Sequence, residues 1–538
     1  MAEIWDYIVV GAGSSGCVMA ERLSADGKSR VLVLEAGGEN DGFWVSLPKG
    51  VAKLVTNPAH IWMYKVDQPR EPGGPGEFWI RGKGLGGSSS VNGMIWSRGE
   101  PADYDAWEAA GCTGWNGDSM TEAFLALEDN AAGGSAMRGE GGPVHVDPAI
   151  YRYALCDTMI AAGESLGMKR VDDLNGTTGP RVGLYTHNIR KGRRQSSART
   201  FLDPARKRSN VKVVTGALAE RILFTDSKAS GVECTVNGKP QTFQCTGEII
   251  VSAGAMESPL LLQRSGIGDA ERLRAAGVTP LIDSPDVGER MIEHLAFAMP
   301  YRLTKDVGSH RNFFGLGAAK AMARYLLTRS GILATGPFEV GAFTNVANPD
   351  GRTDLQLYLG GYTFAVSDDN NPVPLDKIDP RPGITIYGQL LRMTSEGSLR
   401  VTGPKASDAP AILPNWLSTE QDRHSAIATI KLMRRYMASE PLASLVGEEM
   451  TPGADVQSDD ELLTAFRRLS TCGLHAVGTC RMGADNRAVV DPQLRVNGVQ
   501  GLRVVDCSII PGHVTGNTNA PAMAIGLRAA EMVLADRA

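Results

Sequence analysis

From Asp6 to Glu35 the chain reads DYIVVGAGSSGCVMAERLSADGKSRVLVLE, in which two uninterrupted apolar runs flank a glycine-rich turn and a segment with apolar residues at helical spacing. Short β-branched runs without alternation predict strands covered on both faces, so this stretch predicts a strand–helix–strand unit of a parallel sheet. NVKVVTG (210–216), EIIVSAG (248–254) and GLRVVD (501–506) carry the same signature. Their wide separation predicts one sheet assembled from distant parts of the chain. TDLQLYLGGYT and GITIYGQLLRMT predict strands of a second sheet, with VSDDNNPVPLDKIDPRPG as a loop. Near the end, Ala522, Ile525, Ala529 and Val533 recur at helical spacing behind HVTGNTNAP, which predicts a helix with Pro521 in its first turn. The start of such a helix presents unpaired N–H groups and partial positive charge to an anion.

The chain has 538 residues, more than a single core accommodates, and predicts at least two domains. A formal charge of −5 and 21% charged residues give no reason to expect a nucleic-acid partner. The eight cysteines form no C-x-x-C pair and no zinc-like spacing, so they read as reduced and no metal site is expected. MAEIWDYIVV lacks a basic region followed by a long apolar core, and no run reaches the ~18 apolar residues of a membrane helix. The expected location is cytoplasmic, with association at the inner face of a membrane left open and the oligomeric state undetermined.

Gly11-Ala12-Gly13-Ser14-Ser15-Gly16 follows a predicted strand and opens a predicted helix, and Glu35 closes the next strand. That context makes the pattern a dinucleotide fingerprint. Gly11 permits the turn, Gly13 admits a pyrophosphate close to the backbone, Gly16 lets helix and strand pack, and the Glu35 carboxylate accepts from ribose hydroxyls. The fingerprint reads an adenosine diphosphate half and leaves NAD and FAD undecided. It occurs once, which favours one tightly held cofactor over two.

Four further blocks resemble the successive signatures of the glucose–methanol–choline oxidoreductase family: GKGLGGSSSVNG (82–93), SAGAMESPLLLQRSGIG (252–268), LHAVGTCRMG (474–483) and GLRVVDCSIIPGHVTGNTNAPA (501–522). With the fingerprint they span nearly the whole chain in the family's order. The resemblance implies FAD and oxidation of an alcohol to a carbonyl. It also implies an α/β architecture, with a Rossmann-like FAD-binding domain built from residues 1–150, 210–295 and 465–538. The remaining segments, 151–209 and 296–464, are assigned to an α+β substrate-binding domain with an antiparallel sheet.

Oxidising an alcohol requires a base within hydrogen-bond reach of its hydroxyl. The resemblance implies His475 as that base and Asn517 as the group that holds the substrate oxygen. Cofactor contacts are expected from Ser14, Ser15 and Ala36 beside the fingerprint, and from Gly87, Ser88, Asn92, Gly93 and Ile95 in the second block. The last block adds Asp506, Cys507, Asn519 and Pro521, and Ala219 is expected at the adenine. Asp506 could equally be a structural cap, Asn517 a helix cap, and His513 a pocket wall. Where some relatives carry a flavin-linking histidine this chain has Val91, so FAD is expected to be non-covalent.

Choline-oxidising relatives carry a glutamate at the position of Ala296, which argues against a cationic substrate. The expected substrate is an aliphatic, aromatic or polyol-like primary alcohol, with Phe313, Phe314, Tyr362, Phe364 and Trp416 as candidates for an apolar pocket. Electrons then pass to a quinone, another diffusible dye-like acceptor or oxygen. An oxygen-using oxidase, a hydroxynitrile lyase that keeps FAD without redox use, and a non-catalytic flavoprotein are the alternatives.

Overall fold

In the computed structural model, which describes residues 3–66, 68–69, 76–148, 151–348, 350–364 and 378–537, strand Ile4–Val10 lies inside a mixed sheet. Val31–Glu35 and then Val211–Thr215 pair parallel on one side of it, and the end of Lys239–Val251 followed by Leu502–Val504 on the other. Ile8, Val9, Leu32, Val33, Ile249, Ile250 and Val504 have no solvent exposure. Burial on both faces is what their unalternating apolar runs require. The outer strands enter the chain some two hundred or more residues after the inner pair, as the dispersed sequence signals predicted.

The fourth run is longer than its apolar core. Lys239–Val251 continues backward from Ile249 through alternating exposed and buried residues into an antiparallel meander with Ala217–Thr225 and Lys228–Val236. One strand thus changes partners midway, at a register irregularity opposite Trp5–Tyr7.

A second sheet of eight strands includes Leu295–Leu303, Gly383–Leu390, Leu355–Gly360 and Val340–Thr344 as consecutive antiparallel neighbours. Thr471–Cys472, placed by sequence reading with the nucleotide-binding segments, pairs with Leu295 and Ala296 instead. Of the predicted loop 366–383, residues 366–377 lie outside the described residues. Leu355, Leu357 and Leu359 point into the core of this sheet with Ile384, Ile386 and Leu390. The intervening Gln356 and Tyr358 therefore emerge on the opposite face, beside their cross-strand partners Gln389 and Tyr387. That face looks toward the first sheet.

All eight cysteines are free, and no cluster of metal-ligating side chains occurs among the described residues. No helix among them is long and apolar enough to cross a membrane.

Candidate active site

A cavity of about 480 Å³ runs between the two sheets. Its floor is backbone. The helices Ser14–Leu23, Gly254–Arg264 and Asn519–Arg537 all begin on it, and three helix starts converging on one space make it favourable for anions. A Cβ on Gly16 would meet Gly11 O at 2.0 Å and Ser252 Cβ at 3.2 Å, so this glycine is required for the turn and for close packing. At Gly13 the nearest atom would be Ser252 O at 3.8 Å. Space beyond Gly13 belongs to the cavity, which that residue lines.

Glu35 lies at the end of its strand with both carboxylate oxygens occupied: Oε2 accepts from Ala12 N at 2.9 Å, and Oε1 from Gly37 N at 2.8 Å and Gly84 N at 3.0 Å. It lines the cavity beside Ala36, with one lone pair, on Oε2, still unused. Ser14 Oγ donates to Asn519 Oδ1 at 2.8 Å and Ser15 Oγ to Ala522 O at 2.8 Å, which ties the first and last of these helices together at their starts. Asn519 Nδ2 is buried without a partner.

Gly87, Ser88, Asn92, Gly93 and Ile95 line the opposite wall, with Val91. Asn92 Oδ1 is held by Arg194 Nη1 at 2.8 Å and Met94 N at 3.1 Å, so its amide nitrogen remains available. Ala219 lines the cavity from the antiparallel meander, and Asp506 and Cys507 from the chain after Leu502–Val504. Asp506 is a cap: it accepts from Gly254 N at 2.8 Å, Ser258 Oγ at 2.5 Å and Ser508 N at 2.8 Å. Pro521, expected against the cofactor ring, does not line the cavity. It is buried in the first turn, where Thr518 O accepts from Ala522 N at 3.0 Å.

His475 and Asn517 meet at the far end, with Asn517 Nδ2 3.1 Å from His475 Nε2. Leu474 has φ +64°, a left-handed conformation unusual for leucine. It turns the chain so that His475 N donates to Glu293 Oε1 at 2.5 Å. Glu293 is buried and also accepts from His294 N at 2.9 Å and Arg81 Nη2 at 3.0 Å. Burial pushes its carboxyl upward, against the pull of Arg81.

The donors around His475 have a fixed order. Tyr185 OH donates to Leu357 O at 2.8 Å, and a carbonyl can only accept. Tyr185 therefore accepts from Gln356 Nε2 at 3.0 Å, which leaves Gln356 Oε1 to accept from the Tyr358 hydroxyl at 2.9 Å. Gln356 Nε2 also donates to Asn517 Oδ1 at 3.2 Å, so the Asn517 amide nitrogen faces His475 Nε2 and the Tyr358 oxygen. With Nε2 of His475 the acceptor nitrogen, the ring proton falls on Nδ1, 3.1 Å from His294 Nδ1; Gln389 Nε2, 3.3 Å from that same Nδ1, then sends its two protons to His294 Nδ1 at 3.2 Å and Gln356 Oε1 at 3.5 Å.

Burial lowers the His475 pKa to about 3, with Arg81 adding to the effect. His513, expected as a weaker competitor of His475 or a pocket wall, does not line the cavity; its ring lies tilted against that of His294, centroids 3.9 Å apart, and burial likewise lowers it to about 3. His294 is lowered by burial and then by the two neighbouring histidines. The cluster is uncharged at neutral pH, which leaves Nε2 of His475 with a lone pair that can accept a hydrogen bond from a bound hydroxyl.

Of the five aromatic candidates only Phe364 lines the cavity. Tyr362 bonds Pro337 O and packs on Phe313, Phe314 faces outward, and Trp416 packs at a tilt against Trp79. The apolar wall at the His475 end comes instead from Ala296, Phe338, Tyr358, Tyr387 and Leu474. Gln356, Gln389 and these tyrosines escaped sequence reading, although the alternation in LQLYL is their signal: a strand with leucines inward must present Gln356 and Tyr358 together on its other face.

The cavity suits FAD on three observations: open space beyond Gly13, a buried Asn519 amide nitrogen lacking an acceptor, and three helix starts around a long cleft. Two models of the GMC oxidoreductases match residues 5–296 and 393–526. Among similar proteins are an oxygen-dependent choline dehydrogenase of Rhizobium johnstonii, 35% identical over 98% of this chain and 95% of that one, and an alcohol dehydrogenase [acceptor] of Pseudomonas putida, 36% identical over 99% and 96%. A pyridoxine 4-oxidase crystal structure from Mesorbium loti superposes with a TM-score of 0.87 at 30% identity, covering 98% of both chains. Fold, cavity and these matches together identify the chain as a member of the GMC oxidoreductase family, an FAD-dependent oxidoreductase.

Proposed function

We propose that the chain oxidises a neutral primary alcohol bearing an apolar or aromatic group to its aldehyde, as a dehydrogenase that hands two electrons to a diffusible acceptor such as a quinone. The observation that carries this reading is the Asn517–His475 pair, whose order of donors leaves a lone pair on Nε2. A hydroxyl set against the pair accepts from Asn517 Nδ2 and donates to His475 Nε2. His475 then takes the hydroxyl proton, and the aldehyde oxygen stays on the Asn517 amide. Bound FAD supplies the acceptor for the two electrons and the carbon-bound hydrogen. Val91 has no nucleophilic atom, which supports non-covalent binding at that wall. The 1–150, 210–295 and 465–538 segments would serve the cofactor, and 151–209 and 296–464 the alcohol.

Neutral substrates are favoured by charge. Among the described residues, the carboxylates lining the cavity are Glu35, Glu257 and Asp506, each already bonded, and Ala296 offers none at the reacting end. One observation supports a second reading: Phe338 lies 5.5 Å from Tyr358 and 5.2 Å from Tyr387, an aromatic cluster that could receive a quaternary ammonium. The test is anaerobic bleaching of the flavin by a panel of alcohols containing choline and its neutral isostere 3,3-dimethylbutan-1-ol, followed by quinone or air. Bleaching by the isostere and by benzylic or aliphatic alcohols, with reoxidation by quinone, is expected. Preference for choline selects the second reading, fast reoxidation by air an oxidase, and no bleaching by any alcohol refutes alcohol oxidation.

A further inference from the structure

Between Asp306 and Glu339 the sequence contains no acidic residue, in a chain that carries 60 of them. Its middle forms the Gly315–Thr328 helix. At about 100° per residue, Leu316, Ala323 and Leu327 fall on one line, Lys320 close beside it, with Leu326 on one shoulder and Arg324 on the other. Tyr325 lies opposite and is fully buried, donating to Gly192 O at 3.1 Å. The outward line is left bare: Leu316 is 80% exposed and Leu327 84%, and Leu326 and Phe314 are exposed as well. Phe43 and Trp44, on the short Phe43–Ser46 helix, extend the apolar area, with the Phe43 ring 6.4 Å from that of Tyr325.

Among the described residues, Lys320, Arg324 and Arg329 make no ion pair with an acid. Arg324 Nε donates to Ser330 Oγ at 3.1 Å, Arg329 lies over the Tyr325 ring at 4.8 Å, and Arg311 pairs with the Asp306 carboxylate. Exposed leucines interleaved with Lys and Arg, with no acid anywhere in residues 307–338, form the pattern of a helix that lies in a lipid interface. A two-fold contact with another copy would set these cations against one another, whereas anionic headgroups complement them.

We propose that this face docks the protein onto an anionic bilayer, the apolar line entering the headgroup boundary and Lys320, Arg324 and Arg329 meeting lipid phosphates. Docking there brings the cavity close to the membrane. The Pro48–Gly50 turn after Phe43–Ser46 packs on Ile332–Ala334, and the residues that follow each, Val51 and Pro337, line the cavity. This inference concerns the surface and does not depend on which alcohol is oxidised.

The test is sedimentation of the FAD-loaded protein with vesicles, followed by flavin absorbance. Wild type is expected to pellet with phosphatidylglycerol-containing vesicles and far less with pure phosphatidylcholine, with binding weakened by salt. Leu316→Glu/Leu327→Glu and Lys320→Glu/Arg324→Glu, all at exposed positions, are each expected to lower the partition coefficient about tenfold or more. Both variants should keep their flavin and their turnover with a soluble dye. Failure of wild type to bind anionic vesicles at low salt overturns the proposal, as does binding that survives both double variants. A wild-type dimer that the leucine variant converts to monomer, without vesicle binding, overturns it in favour of self-association.

Discussion

The two ends of the cavity are built from different material. At the end of the fingerprint the walls are main chain: helix starts, the turn at Gly11–Gly16 and the Glu35 carboxylate that fastens it. At the His475 end they are side chains from separate segments, ordered by a relay of hydrogen bonds from Leu357 O to His475 Nε2. A backbone cradle tolerates few changes in residue size but does not depend on proton positions. A side-chain relay tolerates changes in shape at its rim but depends on every donor pointing one way.

The largest effect that separates these regimes is at the reacting end. His475→Ala should lower kcat by about 10²–10⁴-fold while the protein stays yellow, which stopped-flow reduction and the flavin spectrum would measure. Loss of flavin together with turnover would mean that the two ends are not separable.

Next come the paired glycine changes. Gly16→Ala places a methyl group against Gly11 O and should destabilise the fold by about 1–3 kcal/mol or more in thermal melts. Gly13→Ala has room within the protein, so its melt without cofactor should be unchanged while FAD affinity falls, about tenfold for ~1.4 kcal/mol of lost fit. Equal destabilisation of both would refute a cavity beyond Gly13.

Smaller is the effect of turning the relay. Gln356→Leu removes the donor that orients Asn517, and should cost about tenfold in kcat with FAD affinity unchanged. The accompanying signature is a changed pH profile for the reductive step, which a mere packing defect would not produce. Gln356 is in this sense a positioning residue.

The smallest is a change of slope. The pKa values of His187, His294, His475 and His513 are depressed by burial, so the unfolded chain binds their protons first as pH falls through about 6.5. The stability they contribute is present above that pH and is lost progressively toward about 3, where the folded His187, His475 and His513 protonate. His513→Asn should flatten the acid limb of a Tm-versus-pH curve by up to one proton, about 1.4 kcal/mol per pH unit.

How much of this could be read from residues follows the same division. Gly13, Glu35 and the Asn519 helix start were legible because a turn, a strand end and a helix cap leave local marks. The parallel strands were legible because burial on both faces leaves unbroken apolar runs. Gln356, Gln389, Tyr358 and Tyr387 were not, since their meeting depends on the register between Leu355–Gly360 and Gly383–Leu390. The meander strands Ala217–Thr225 and Lys228–Val236 were missed for a related reason: partly exposed on both faces, they have no clean period.

Ser14 and Ser15 near one end of the chain are fastened to Asn519 and Ala522 near the other, across about five hundred intervening residues. During synthesis the first of these helices leaves the ribosome long before the second exists, and for all that interval one wall of the dinucleotide site is missing. A nascent chain arrested ahead of residue 519 lacks that wall and is expected to emerge colourless.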